Sequence, residues 1–134
     1  MEIAGTSIWI IIAAAVAAFI FGGVYYGVLS KPWMAAARLS PDKTGMSPSL
    51  LATTLALELM MAIGMAWIIN MGGGGAGAAG GMVTGALLWA VVIAPVTAIN
   101  QRYEGFGWNL TLIDTAHWLG AAVIMGAIIG WSHG

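Results

Sequence analysis

The chain has 134 residues, of which 60% are hydrophobic and 7% are charged, and its formal net charge is −1 at pH 7. A soluble domain carries roughly 25% charged residues, so this chain has too few to cover a surface that faces water. It has no cysteine, which excludes disulfides and cysteine-based metal sites, and its four basic residues are too few for a nucleic-acid-binding surface. The composition therefore predicts a single integral membrane domain over residues 1–134 that contacts the lipid bilayer.

Four apolar segments are long enough to cross a hydrocarbon core, which needs about 20 helical residues. The predicted helices cover residues 7–29, 48–71, 81–99 and 110–131. Thr6 or Ser7 caps the first helix, Ser47 caps the second with Pro48 in its first turn, and Asn109 is a candidate cap for the fourth. The predicted fold class is an all-α membrane protein, a bundle of four transmembrane helices.

Two features interrupt the apolar pattern. The run Gly72–Gly75 ends the second helix, because four successive glycines cannot be helical at reasonable cost. Pro95 lies inside the third helix, where it removes a backbone donor and leaves the carbonyl of Val91 without its usual partner. We therefore expect a kink near Pro95.

The basic residues predict the orientation of the bundle. Lys31, Arg38 and Lys43 lie in the first loop and Arg102 lies in the third. Positively charged loops remain in the cytoplasm, so we expect both of these loops inside and both termini outside. We expect the first segment to be retained rather than cleaved as a signal peptide, since Glu2 and no basic side chain precede it.

A small group of ionisable side chains lies within the predicted spans. Glu58 is the only acid in the stretch Ser49–Met71, and at that depth a carboxyl group costs a few kcal/mol unless it is protonated, hydrogen-bonded or hydrated. Asp114 and His117 are three residues apart and share a helix face, and Tyr25 lies at a similar depth on the first helix. These four residues are the candidate site for a proton or ligand in the cytoplasmic half. The alternative is that they only hydrogen-bond one another between helices.

Four further residues are secondary candidates. Trp89 and Trp118 have rings that a ligand could stack on, although packing is the simpler interpretation of each. Asn100 closes the third helix at the depth of the polar group. Tyr26 is interpreted as an anchor at the membrane interface.

The sequence predicts no metal site and no cofactor. His117 and His133 are separated by about 24 Å along one helix, so they cannot bind one ion within a subunit. His117 with Asp114 and Glu58 is the one remaining combination of ligands, and it is a weak one. Nothing resembles the nucleophile and base of a hydrolase, so an enzyme is the least favoured interpretation.

Small residues recur at four-residue spacing on three of the helices, which permits close approach of helix backbones. They are Ala14, Ala18, Gly22, Gly23 and Gly27 on the first helix, Gly77, Gly81 and Gly85 on the third, and Gly126 and Gly130 on the fourth. The pattern fits close packing within one bundle and also a homo-oligomer interface, and the two interpretations are compatible.

Three segments carry a family resemblance: GGVYYG at residues 22–27, KPWM at 31–34 and LIDTAHWL at 112–119. A Gly-rich third helix leading into Pro95 lies between them. The chain resembles a family of small bacterial four-helix membrane proteins catalogued as domain of unknown function 1761, in which a histidine is frequent at the position of His117. The resemblance implies the four-helix fold and a multi-pass location in the bacterial inner membrane, and it implies no activity.

Two functions remain open from the sequence. The leading hypothesis is a small oligomeric protein that transports protons, ions or small molecules, or binds a ligand, in a cavity lined by Tyr25, Glu58, Asp114 and His117. The alternative is an accessory or assembly subunit, which docks against itself or a larger membrane complex and uses its polar groups only as ties between helices.

Overall fold

The computed structural model describes residues 1–40 and 47–134. Its elements are β1 (Glu2–Ile3), β2 (Thr6–Ser7), α1 (Ile8–Val28), α2 (Ser30–Ala37), α3 (Pro48–Asn70), α4 (Gly77–Leu88), a π-helical segment (Trp89–Ile93), α5 (Ala94–Tyr103) and α6 (Trp108–Ser132). β1 and β2 form a small antiparallel hairpin that pairs Glu2 with Ser7. In the described part of the chain four helices are long and apolar enough to cross a membrane, with α4, the π-helical segment and α5 forming one of them. The prediction of an all-α bundle with four spans is confirmed.

The two ends of the bundle differ in charge. The hairpin, the glycine-rich loop after α3 and the end of α6 lie together at what we call the terminal end, where the Thr6 hydroxyl is 2.6 Å from Nε2 of His133. α2 and the loop between α5 and α6 lie at the opposite end, which we call the basic end because it carries Lys31, Arg38 and Arg102. Lys43, which also supported the predicted orientation, lies outside the described residues.

The first two spans begin where the capping residues predict. The Ser7 hydroxyl accepts a hydrogen bond from the amide of Trp9, and the Ser47 hydroxyl accepts one from Leu50 with Pro48 in the first turn. The prediction of Asn109 as the cap of the fourth helix is wrong, because α6 begins at Trp108 with Gly107 as its extended N-cap. Arg102 holds that start in place by donating to the carbonyl of Gly107.

The third span runs from Gly77 to Tyr103, so it is longer at both ends than the predicted 81–99. Immediately before Pro95, where the sequence predicts a kink, the structure has a π-helical turn, in which the amide of Ala94 donates to the carbonyl of Trp89, five residues earlier. Pro95 has no amide hydrogen, and its ring needs space where residue 91 would lie in a regular helix. The wider turn provides that space while the span remains continuous.

Glycine brings α4 and α6 into backbone contact in the terminal half of the bundle. A Cβ atom on Gly81 would overlap the carbonyl of Gly126, and one on Gly85 would overlap the carbonyl of Ala122. The small residues on the third and fourth helices are therefore used within the chain, as the packing interpretation predicts.

α1, α3 and α6 form the remainder of the core through alanine and a few larger side chains, including Ile11, Met65 and Met125. In contrast, Gly23 and Gly27 on α1 have open space where a Cβ atom would lie. Large apolar side chains also cover the outside of every span, such as Ile20 and Val24 on α1. This surface fits contact with lipid, as expected for a multi-pass membrane protein.

Candidate functional site

His117 lies where α1 crosses α6, and it is only 4% exposed. Gly22 makes room for it, because a Cβ atom there would be 2.9 Å from Nε2 of the imidazole. Gly120 makes room in the reverse direction, since a Cβ atom there would overlap the ring of Phe21. Two glycines, one on each helix, therefore allow the imidazole and the phenyl ring to occupy the crossing.

Four aromatic rings surround the imidazole, and we call them the His117 cage. Phe21 stacks nearly parallel to it at 5.8 Å between centroids, and Trp118 contacts it edge to face at 4.6 Å. Tyr26 and Tyr25 lie at 4.9 and 5.6 Å. Nδ1 of His117 is buried and has no hydrogen-bond partner among the described residues. Aromatic faces attract a cation and also pack against a neutral ring, so the cage suits the imidazole with or without its second proton.

Asp114 joins three helices through a chain of hydrogen bonds that we call the Asp114 network. Its Oδ1 accepts from the hydroxyl of Tyr26 at 2.7 Å, and its Oδ2 accepts from the amide of Gln101 at 2.8 Å. The Gln101 carbonyl accepts from Thr111, whose hydroxyl in turn accepts from Arg102. Both carboxylate oxygens of Asp114 are therefore partnered, and α1, α5 and α6 are tied together near the basic end.

Tyr25 and Trp89 donate to main-chain carbonyls rather than to other side chains. The hydroxyl of Tyr25 donates to Ile113 at 2.7 Å, and the indole of Trp89 donates to Thr115 at 2.7 Å. The tyrosine that bonds Asp114 is Tyr26, a secondary candidate in the sequence, and its role as an interface anchor stays a prediction. These two hydrogen bonds fix the position of α6 along its axis relative to α1 and to the third span.

Glu58 is buried on α3 and is not part of the Asp114 network. It is 2% exposed and lies on the stripe of α3 that also buries Ala62 and Met65. Its Oε2 has no hydrogen-bond partner among the described residues. The ring of His117 faces α1, because it occupies the space beside Gly22. Within the described ranges no three acidic or histidine side chains are close enough to hold a metal ion. Tyr25, Asp114 and His117 are thus brought together, whereas among the described residues Glu58 forms no hydrogen bond with any of them.

The sequence interpretation missed Phe21, Gln101 and the inward role of Arg102. It chose Asn100 by depth, but Asn100 is exposed and its neighbour Gln101 is buried in the network. The signal that separates them is helical phase, since adjacent residues on a helix point about 100° apart. Phase relative to α6 requires knowledge of the packing, which depth alone does not give.

A family model described as protein of unknown function (DUF1761) matches residues 9–130. The chain belongs to this family. The match covers the His117 cage, the Asp114 network and Glu58, and it confirms the resemblance seen in the sequence. No curated protein and no solved structure matches the chain.

A groove also opens on the side of the bundle, beside the His117 cage of this family member. Its volume is about 300 Å³. It is lined by Met61, Val92, Ile93, Val96, Thr97 and Trp118. Its walls are apolar except at Thr97 and Trp118, so it is not the polar cavity that the sequence predicted. Trp118 is shared, because it lines the groove and contacts the ring of His117.

Proposed function

We propose that this protein is a small membrane transport or ligand-binding protein that binds protons, or a solute carrying one, at His117 and Glu58. The observation that carries the proposal is the unpartnered Nδ1 of His117, buried inside the aromatic cage and beside the Asp114 network. We also propose a bacterial inner-membrane location with the basic end in the cytoplasm and both termini outside, on the distribution of basic residues.

The cost of unpartnered polar atoms supports this proposal. Within residues 1–40 and 47–134, four buried side-chain polar atoms lack a partner: two on Arg102, one on Glu58 and one on His117. Leaving such an atom buried without a partner costs about 1–3 kcal/mol. Apolar side chains would remove this cost, so the presence of two titratable groups in the spans is explained by a partner that comes and goes, such as a proton.

The Asp114 network supplies a route from the surface. It begins at the basic end, where Arg102 bonds Gly107 and Thr111, and it passes through Asp114 to the hydroxyl of Tyr26. The ring of Tyr26 lies 4.9 Å from that of His117. Hydroxyl and carboxylate groups can pass a proton along such a chain as far as the His117 cage, and Glu58 is a second buried acid on α3 that this chain of hydrogen bonds does not include.

Proton flux in reconstituted vesicles tests the proposal. The purified protein is placed in liposomes that contain a pH-sensitive dye, and a potassium gradient with valinomycin sets the membrane potential. His117→Asn and Glu58→Gln are each expected to lower the flux at least about tenfold while leaving the oligomeric state in detergent unchanged. His133→Asn at the terminal end and Glu104→Gln at the exposed basic end are matched controls, which should keep the wild-type flux. Wild-type flux equal to that of empty vesicles would refute proton transport.

The second candidate is the accessory or assembly subunit, and the fully bonded carboxylate of Asp114 favours it, since that group already acts as a tie. A partner chain would then dock on α1, where Gly23 and Gly27 are open. In this case Glu58→Gln weakens assembly, and neither the wild type nor any variant carries a flux. The same vesicles and the same size-exclusion profiles therefore separate the two functions.

A further inference from the structure

The lateral groove lies between α3 and the third span, with Met61 on one wall and Trp118 of α6 at its base. The other wall is the π-helical segment and the first turn of α5, from Val92 to Thr97. Because Pro95 has no amide hydrogen, the wall is irregular at the point where a regular helix would be smooth. A groove on the outside of a membrane span is surrounded by lipid chains.

Thr97 differs from the other threonines of the spans. Most threonine hydroxyls there donate to the carbonyl four residues earlier, namely those of Thr53, Thr54, Thr84 and Thr115, and that of Thr111 donates to Gln101. Within the described ranges the Thr97 hydroxyl, which lines the groove, forms no such bond and no other side-chain hydrogen bond. This hydrogen-bond donor in the groove is therefore free, and an occupant that accepts a hydrogen bond would satisfy it.

The depth of Thr97 indicates which part of a lipid it meets. The third span has 27 residues and is therefore about 40 Å long, whereas the hydrocarbon core is about 30 Å thick. If the overhang is shared, the core begins about 5 Å from Tyr103, and Thr97 lies about 9 Å from it, so its hydroxyl is about 4 Å inside the boundary. The ester carbonyls of glycerophospholipids lie near this boundary.

We propose that the groove binds one acyl chain of a glycerophospholipid, with the Thr97 hydroxyl donating to its ester carbonyl. The chain enters from the side and lies on the apolar wall from Val96 toward Val92. A neutral ester fits better than a free fatty acid, because no cation is among the described residues that line the groove and the bonded nitrogen of Arg102 is directed at Gly107 and Thr111. This proposal does not depend on proton binding, although Trp118 places the chain next to the His117 cage.

Photo-crosslinking of the full-length protein in phospholipid nanodiscs tests the proposal. The probe is phosphatidylethanolamine with a diazirine on its acyl chain, and the labelled peptides are identified by mass spectrometry. We expect labelling to concentrate on residues 92–97 and around Met61. Val96→Trp fills the groove and should lower this labelling about tenfold. The matched control is Val91→Trp, because Val91 is 68% exposed but does not line the groove. This variant should leave the labelling unchanged.

A second pair of variants addresses the hydroxyl without changing the shape of the groove. Thr97→Val should lower the labelling about threefold and Thr97→Ser should retain it, because only serine keeps the donor. Equal labelling of all lipid-facing peptides in every variant would overturn the proposal. Selective labelling by a diazirine fatty acid, but not by the phospholipid probe, would also overturn it. If the wild-type protein carries a proton flux but the phospholipid probe labels all lipid-facing peptides equally, then the lipid proposal has failed and the proposed function has not.

Discussion

α6 makes two contacts that hold the bundle together by different means. In the terminal half it meets α4 through glycine, and carbonyl groups lie where side chains would otherwise be. In the basic half it meets α1 and α5 through aromatic and polar side chains, which form the His117 cage and the Asp114 network. One helix thus uses backbone contact at one end and side-chain contact at the other.

The difference shows where a membrane protein has room for chemistry. Helices associate in lipid through close packing or hydrogen bonds, because hydrophobicity does not distinguish a helix from the surrounding chains. Among the described residues, the contact between α4 and α6 leaves no space for a ligand and contains no buried side-chain polar atom without a partner. The contact between α1 and α6 retains a buried imidazole with a free nitrogen, so functional variants are expected in this half and purely structural ones in the other.

The largest expected effect comes from breaking the backbone contact. Gly81→Ala places a methyl group against the carbonyl of Gly126, so α4 must move away from α6. We expect a loss of about 3 kcal/mol in the free energy of unfolding, measured by circular dichroism during titration with SDS. Gly23→Ala on α1 is the control, because it has open space at that position, and it should change the free energy by at most about 1 kcal/mol. Equal losses in the two variants would show that the α4 contact is not the tighter one.

An intermediate effect is expected from the Asp114 network. Asp114→Ala leaves the hydroxyl of Tyr26 and the amide of Gln101 without an acceptor, which should cost about 2 kcal/mol in the same titration. Glu104→Ala, at the exposed start of the next loop, is the control and should stay within about 0.5 kcal/mol of the wild type. A double-mutant cycle with Tyr26→Phe should show non-additive losses. Additive losses would mean that the two side chains do not depend on each other.

The sequence predicts the bundle well because each span is determined locally. Composition gives the four spans, Ser7 and Ser47 give two helix starts, and Pro95 gives the position of the π-helical turn. The predicted start of α6 is wrong because no side chain caps it: the N-cap is Gly107, whose carbonyl accepts a hydrogen bond from Arg102 across the loop. Local signals find helices, but contacts between elements decide their ends.

The site is predicted less completely because it depends on helical phase. Depth places Asp114, His117 and Tyr25 in one half of the membrane, and the structure brings them together. Depth also places Glu58 nearby, but α3 presents that side chain on its alanine stripe, where it bonds neither His117 nor Asp114. Helical phase also explains why Tyr26, and not Tyr25, bonds Asp114. The two tyrosines are adjacent on α1 and therefore point in different directions.

The smallest predicted effect is a gain, rather than a loss, in the free energy of unfolding. It tests whether Glu58, unlike Asp114, is dispensable for stability. Both are acids within the spans, but the Asp114 carboxylate is fully bonded and Oε2 of Glu58 is not. Glu58→Met fills a similar volume without a buried polar atom, so it should raise the free energy of unfolding by about 1 kcal/mol while proton flux is lost. Leu57→Met, on the adjacent exposed position, should change the stability by less than about 0.5 kcal/mol and preserve the flux. A stability gain together with lost flux is the behaviour of a group retained for function at a cost in stability. If Glu58→Met instead destabilises the protein as Asp114→Ala does, then Glu58 is a tie between helices, and the spans hold two structural acids rather than one.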